Sequence, residues 1–155
     1  MTRRRLLAGV ASAAAFGVGA ATAAGEAGPV LYKGMTLIDG SGAAPRPDMA
    51  LILEGERIAM VFPAKQLEIM KLARMEVIDA VGLTALPGPL AAEEAEARVR
   101  SGEPLKKAVI AALGGRCIRG GVLADLVFLK GDPLVDAAAL RRVAFTVQRG
   151  VRSGA

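Results

Sequence analysis

The chain has 155 residues, a formal net charge of +5 and no histidine. This length holds one ordinary domain and is too short for a (β/α)₈ barrel, which takes roughly 250 residues. Arg3, Arg4 and Arg5 supply three of the positive charges, and the remaining excess is too small to indicate nucleic-acid binding. The single cysteine, Cys117, excludes an internal disulfide.

The N-terminus is similar to a twin-arginine export signal. Arg3-Arg4-Arg5 precedes an uncharged run, Leu6 to Ala24, that ends in the small residues Ala21-Thr22-Ala23. We therefore expect residues 1–23 to be a cleaved signal peptide, the mature protein to be periplasmic or secreted, and membrane contact to be transient. A retained anchor and a cytoplasmic chain are the alternatives.

Residues 24–88 carry alternating apolar runs that predict strands. Asp39-Gly40-Ser41-Gly42 supplies turn residues after the first strand, and Glu54-Gly55-Glu56 indicates a hairpin. Pro45 and Pro47 predict that the stretch directly after the first of these turns stays out of regular structure, and residues 64–74 show a weak helical or loop pattern. The predicted strands are Val30–Gly40, Met49–Glu54, Arg57–Phe62, Val77–Ala80 and Leu83–Leu86.

Residues 89–114 predict a helical connector. Ala91 to Arg100 is rich in alanine and charge. Pro104 to Leu113 begins with a proline that suits a first helical turn, and Gly114-Gly115 suits its end. Lys106 and Lys107 lie off its apolar stripe. A helix that covers one sheet face is the favoured interpretation, and a membrane-surface or partner-binding helix is the alternative. The stripe follows helical spacing: Leu105, Ala108, Val109, Ala112 and Leu113.

Residues 115–155 return to a β pattern. The segment from Ile118 to Leu134 contains an apolar strand, Asp136 to Arg142 indicates a helical turn, and Val143 to Gln148 predicts a strand. Arg149-Gly150 then forms a tight turn into a short last strand.

Four motifs in this order resemble the amidohydrolases, a family of metal-dependent hydrolases that act on C–N and related bonds. They are Asp39–Gly42, Glu54–Ile58, Val77–Gly88 and Ile118–Leu134. In the family the third motif runs directly into L-x-D-x-H-x-H, which supplies two metal ligands. Here Glu93 and Ala95 stand in the register of those two histidines.

The resemblance implies a mainly β fold, a small composite β-sandwich of the kind found in imidazolonepropionase-like and dihydroorotase-like members. Residues 24–88 and 115–155 would be its two halves, and the connector 89–114 would replace the catalytic TIM barrel. Because the family's ligands and catalytic groups lie on the barrel, no catalytic, cofactor-binding or metal-ligating residue and no cofactor is carried over. The resemblance therefore implies a truncated, inactive amidohydrolase-like protein, from a degenerate gene or an internally deleted gene model.

Two other functions stay open at this point. One is an exported interaction module that self-associates or pairs with an intact homologue through the surface that would have faced the barrel. Such a chain is expected to be marginally stable, because removing the barrel would expose apolar area. The other is a residual hydrolase with an unconventional site.

Several residue groups are candidates for chemistry outside the family pattern. Asp39, Asp79, Asp125 and Asp132 occupy turns and strand ends, where aspartate commonly binds backbone amides. Glu93, Glu94 and Glu96 form a charge run that predicts a solvated helix face. Gly114-Gly115-Arg116 and Arg119-Gly120-Gly121 are weak candidates for anion nests. Cys117 lies between basic residues and is either a somewhat acidic thiol or, by preference, a small buried side chain.

Overall fold

The computed structural model describes residues 28–70 and 75–154, and these residues form a mainly β domain with helices on its surface. The expected fold class is confirmed. Two 3₁₀ helices span Ala64–Ile69 and Ala137–Arg141, and two α-helices are α1 (Ala92–Arg100) and α2 (Leu105–Ala112). The strands are β1 (Val30–Leu37), β2 (Arg46–Glu54), β3 (Arg57–Pro63), β4 (Glu76–Asp79), β5 (Leu83–Pro87), β6 (Leu126–Lys130), β7 (Val143–Gln148) and β8 (Val151–Ser153).

The strands on both sides of the connector belong to one mixed sheet. Its order is β3-β2-β1-β5-β6-β7-β8, and β4 pairs with β1 beside β5. The join between the two halves is the antiparallel β5–β6 ladder, which runs from the Leu83–Lys130 pair to the Pro87–Leu126 pair. The expectation that the two strand sets share a sheet is therefore confirmed. Because each half supplies a strand to this ladder, neither half alone completes the sheet.

The sheet curls around a shared core. β1 and β7 are three positions apart in the strand order, which would separate them by about 14 Å in a flat sheet. The rings of Tyr32 on β1 and Phe145 on β7 nevertheless stack with centroids 5.9 Å apart. Phe128 on β6 stacks on both, at 5.2 Å from Tyr32 and 4.5 Å from Phe145. This trio forms the centre of a buried cluster drawn from both halves, which makes the curled sheet sandwich-like.

Backbone contacts hold the two ends of the curled sheet together. The N–H of Ile58 on β3 donates to the carbonyl of Val122 (2.9 Å), and the N–H of Gly121 donates back to Ile58 (2.7 Å). The β2–β3 turn, which contains Gly55, packs against the β7–β8 turn, which contains Gly150. The approach is so close that a Cβ at Gly150 would collide with the carbonyl oxygen of Gly55. The loop before β6 and the last turn thus close the sheet against its first hairpin.

The outer face of the sheet is covered in two places. The alternation of side chains along a strand directs Phe128 into the shared core and Val127 and Leu129 outward. The outward pair packs under α1 and α2, where Ala95, Ala108, Val109, Ala112 and Leu113 are buried. The first 3₁₀ helix covers a smaller outer cluster of Leu31, Ala50, Ile52 and Phe62.

Most predicted elements are confirmed, but the expectation for the proline stretch is wrong. β2 begins at Arg46 and contains Pro47. The sheet tolerates this proline because the pairing shifts between Met35–Met49 and Leu37–Arg46, so Pro47 lies in an irregularity where no ladder bond is lost. The α2 prediction is confirmed, with Lys106 and Lys107 exposed. Of residues 64–74, the first part forms the 3₁₀ helix.

The predicted export signal lies outside the described residues, as do positions 71–74. Within residues 28–70 and 75–154, none of the helices has the length and apolarity needed to cross a membrane.

Candidate functional site

The four motif aspartates each bind a backbone amide. Asp79 Oδ1 accepts from the N–H of Val81 (3.0 Å), and Asp132 Oδ1 accepts from the N–H of Leu134 (2.8 Å). Both are Asx turns, which a carboxylate two residues before an amide forms readily. These aspartates shape the turns that end β4 and follow β6, as the sequence indicates.

Asp39 forms the most elaborate of these turns. Its Oδ1 accepts from both the N–H (2.9 Å) and the Oγ (2.6 Å) of Ser41, and Arg46 lies 3.4 Å from its Oδ2. Burial opposes ionisation most strongly, but the hydrogen bonds from Ser41 and the charge of Arg46 outweigh it and lower the pKa of Asp39 below its usual value. The carboxylate is therefore kept ionised as a structural acceptor rather than poised to exchange protons.

Asp125 differs because its partner is distant in sequence. Its Oδ1 accepts from the N–H of Arg149 (2.8 Å), 24 residues later, and its carbonyl accepts from the N–H of Gly88 (2.9 Å). One residue thus ties the end of β5 to the turn after β7. The sequence marks Asp125 as structural but does not show which amide it binds.

Glu93 and Ala95, the positions in register with the family's paired histidines, lie on different sides of α1. Ala95 is fully buried under the helix, whereas Glu93 is exposed. Glu94 pairs with Arg98 at 3.1 Å within the helix. Glu96 accepts two hydrogen bonds from Arg141, both 2.8 Å. The expectation of a solvated face is met by Glu93 and Glu94, and the Glu96–Arg141 pair is a contact that the sequence does not reveal.

The two glycine-rich segments use their amides within the fold. The amides of Gly114 and Arg116 donate to the carbonyls of Ala111 and Leu113 at the end of α2, and the amide of Gly121 donates to Ile58. Since an anion nest needs consecutive free N–H groups, the bonded amides on either side of Gly115 exclude one at the first segment. Cys117 is half-buried and lines a cleft instead of lying in the core.

The described residues contain no group of three or more Cys, Asp or Glu side chains placed to hold a metal ion. The aspartates named above are dispersed over separate turns, and each has a backbone partner. With no histidine in the chain, nitrogen ligands from imidazole are absent as well, and zinc sites are built mainly from such nitrogen and from thiolate sulfur.

The first residue of the connector contacts a side chain that lies just after the connector's end. Arg116 Nη2 donates to the carbonyl of Pro89 at 2.6 Å, across 27 residues of sequence. The backbone of Arg116 also packs closely against the loop after β1, where a Cβ at Gly40 would collide with the Arg116 carbonyl oxygen. Beside this junction lies a cleft of about 510 Å³, bordered by Arg57, Gly88 and Arg116.

Comparison with known proteins gives partial structural matches. No family model matches the chain, and no curated protein matches it.

Three of the solved structures that it resembles are molinate hydrolase (36% identity, TM-score 0.35), phenylurea hydrolase B (33%, 0.34) and D-aminoacylase (32%, 0.31). The D-aminoacylase is described as defining a subset of amidohydrolases. The matches cover 38–39% of this chain, and they span only 13%, 13% and 11% of the three hydrolase chains.

Proposed function

We propose that this chain is an amidohydrolase-like protein that lacks the catalytic barrel and has no hydrolase activity of its own. In this proposal residues 24–88 and 115–155 are the halves of the family's composite β domain, and residues 89–114 replace the barrel. The family-like motifs Asp39–Gly42, Glu54–Ile58, Val77–Gly88 and Ile118–Leu134 support the family, and the arrangement of the connector supports the loss of the barrel.

The observation that carries the proposal is the junction of Arg116 with Pro89. A segment inserted into an intact sheet must leave and return at neighbouring points. Here the strands on both sides pair directly through β5 and β6, and the side chain of Arg116, just after the inserted segment, donates to the carbonyl of Pro89 at its start (2.6 Å). Such a site accepts a whole domain or a short helical hairpin with the same sheet.

Loss of activity follows from the chemistry that the family needs. Hydrolysis by these enzymes depends on a metal-bound water activated at neutral pH, which requires fixed ligands and an open coordination position. Glu93 and Ala95 occupy the register of two such ligands and face opposite sides of a helix. Isolated carboxylates bind at most hard ions such as Ca²⁺ or Mg²⁺, with mostly water in the coordination shell.

The proposal is tested by metal retention and turnover together. Purified mature protein is incubated with Zn²⁺, Mn²⁺ or Co²⁺, desalted, and its metal content measured. It is then assayed on dipeptide, cyclic-amide and lactone panels, with an active D-aminoacylase as the positive control. We expect no stoichiometric metal and no turnover above buffer. Retained zinc with turnover that a chelator abolishes and metal restores would overturn the proposal.

We propose further that the protein is exported through residues 1–23. Fusion of these residues to a reporter, with Arg3, Arg4 and Arg5 replaced by lysine in the control, tests the signal. Export that persists unchanged in the lysine control would contradict a twin-arginine route.

The alternative function is an interaction module that self-associates or pairs with an intact homologue. Its support is the exposure of apolar residues in the family-like motif itself, since Val77 is 51% exposed and Val81 is 70% exposed. Light scattering of the wild type and of the Val77→Thr/Val81→Thr variant tests this alternative. Concentration-dependent association of the wild type alone would support it, and a monodisperse monomer, alone and mixed with an intact homologue, would count against it.

A further inference from the structure

The cleft beside the Arg116–Pro89 contact is lined by both charged and apolar residues. Arg57 and Arg116 are the two basic residues of its lining, and Pro87, Val122 and Leu123 are apolar residues of its wall. Its volume of about 510 Å³ lies within the range of small-molecule sites, about 300–1,000 Å³.

Both arginines at the cleft are held in place by backbone carbonyls. Arg57 Nη1 donates to the carbonyl of Gly121 at 2.9 Å, and Arg116 Nη2 donates to the carbonyl of Pro89 at 2.6 Å. Each guanidinium has five N–H donors, so each keeps several donors after this one bond. A side chain that already makes one hydrogen bond loses less conformational entropy on ligand binding than a free side chain would, when a ligand binds its remaining N–H donors.

Neither guanidinium is neutralised within the part of the chain that the structure describes. The ion pairs found there within 4.0 Å involve Arg46, Arg98, Arg141 and Arg142. Asp125 borders the same cleft, but it binds the amide of Arg149 through Oδ1 and forms no such pair with Arg57 or Arg116. Two positive charges are thus left facing a space large enough for a ligand.

We propose that this cleft binds a small organic monoanion, with its carboxylate at Arg57 and Arg116 and its apolar body against Pro87, Val122 and Leu123. Planar carboxylates match the fork of an arginine side chain. Asp125 in the wall repels further negative charge, which favours a monoanion over phosphate. This site is independent of the proposed loss of hydrolase activity, because it uses no metal and no barrel residue.

The test uses hexanoate as the probe, followed by amide shifts of Gly115 and Gly121 in NMR titrations of the mature protein. Hexanol and inorganic phosphate are titrated in parallel. We expect hexanoate to shift both amides with saturation, hexanol to shift neither, and phosphate to bind more weakly than hexanoate. Arg57→Met and Arg116→Met should each weaken hexanoate binding about tenfold or more. Arg100→Met, at the exposed end of α1 and outside the cleft, is the control and should leave it unchanged.

The proposal is overturned if hexanoate causes no saturable shift, if hexanol binds as well as hexanoate, or if phosphate binds more tightly. It is also overturned if both methionine variants bind like the wild type. Because Arg57→Met removes a bond to Gly121, its folding is checked by circular dichroism. If it does not fold, Arg116→Met and the charge-retaining Arg57→Lys decide the outcome.

Discussion

Glu93 and Ala95 lie on opposite sides of helix α1. Residues i and i+2 of an α-helix are about 200° apart around its axis. In this protein Ala95 is fully buried and Glu93 is exposed. In the family that the chain resembles, the corresponding histidines bind the same metal. The geometry of this stretch therefore differs from the family pattern, as do its residue types.

Placing histidines at both positions should not create a metal site. We expect Glu93→His/Ala95→His to bind zinc no better than Glu93→His alone, because the two imidazoles cannot reach one ion. Glu93→His/Ala97→His is the matched control, since exposed positions four apart share a helix face. Isothermal titration with Zn²⁺ should detect tighter binding only for the 93/97 pair. Stoichiometric zinc on the 93/95 pair would show that this segment is not helical in solution.

The Glu96–Arg141 pair should make stability depend on pH in the acid range. The hydrogen bonds from Arg141 lower the pKa of Glu96 in the folded protein, with help from the charges of Arg141 and Arg100 and against some desolvation. A lowered folded pKa means that the stabilisation is complete above the unfolded pKa and is lost as pH falls through the folded one. Wild type should therefore melt at a higher temperature than Glu96→Gln at pH 7.

The difference between these two proteins should shrink as the pH falls below about 4.5 and vanish once Glu96 is protonated. Glu68→Gln, at an exposed position, is the control, and its melting temperature should follow the wild type at every pH. A difference between wild type and Glu96→Gln that stays constant down to pH 2 would show that this ion pair is not formed in solution.

The closure of the curled sheet should depend on Gly150. Gly150 has φ +81° and meets the Gly55 carbonyl, whereas Gly82 has φ +83° and no neighbour within 4 Å of an added Cβ. Gly82→Ala should cost about 1 kcal/mol from backbone conformation alone. Gly150→Ala should cost roughly 1–3 kcal/mol more, because the turns must move apart. Urea denaturation measures both, and equal losses would mean that the two turns do not touch.

The aromatic trio should couple the two halves of the domain. Phe128 is fully buried and stacks on rings from β1 and β7, so Phe128→Ala should lower the free energy of unfolding by about 3–5 kcal/mol. Val143→Ala, at a residue that is 47% exposed, is the control and should change it by less than about 0.5 kcal/mol. A loss below about 1 kcal/mol at Phe128 would contradict a single core shared by both halves.

Local chemistry was readable from the sequence wherever a short segment determines its own structure. Glycine and aspartate placed the turns, because positive φ and Asx bonds are properties of a few neighbouring residues. The stripe of Leu105, Ala108 and Val109 predicted the buried face of α2 for the same reason. The family-like order of motifs also indicated that the two strand sets belong to one domain.

Tertiary structure alone decided how the sheet curls and what its polar groups bind. Pro47 entered β2 because a pairing irregularity with β1 removed the cost of its missing N–H. Three hydrogen bonds join residues that are more than 20 positions apart in the sequence. They connect Asp125 with the amide of Arg149, Glu96 with Arg141, and Arg116 with the carbonyl of Pro89. Such contacts depend on where each strand end lies in the curled sheet. That position results from the twist accumulated over all the strands, which no single segment of the sequence determines.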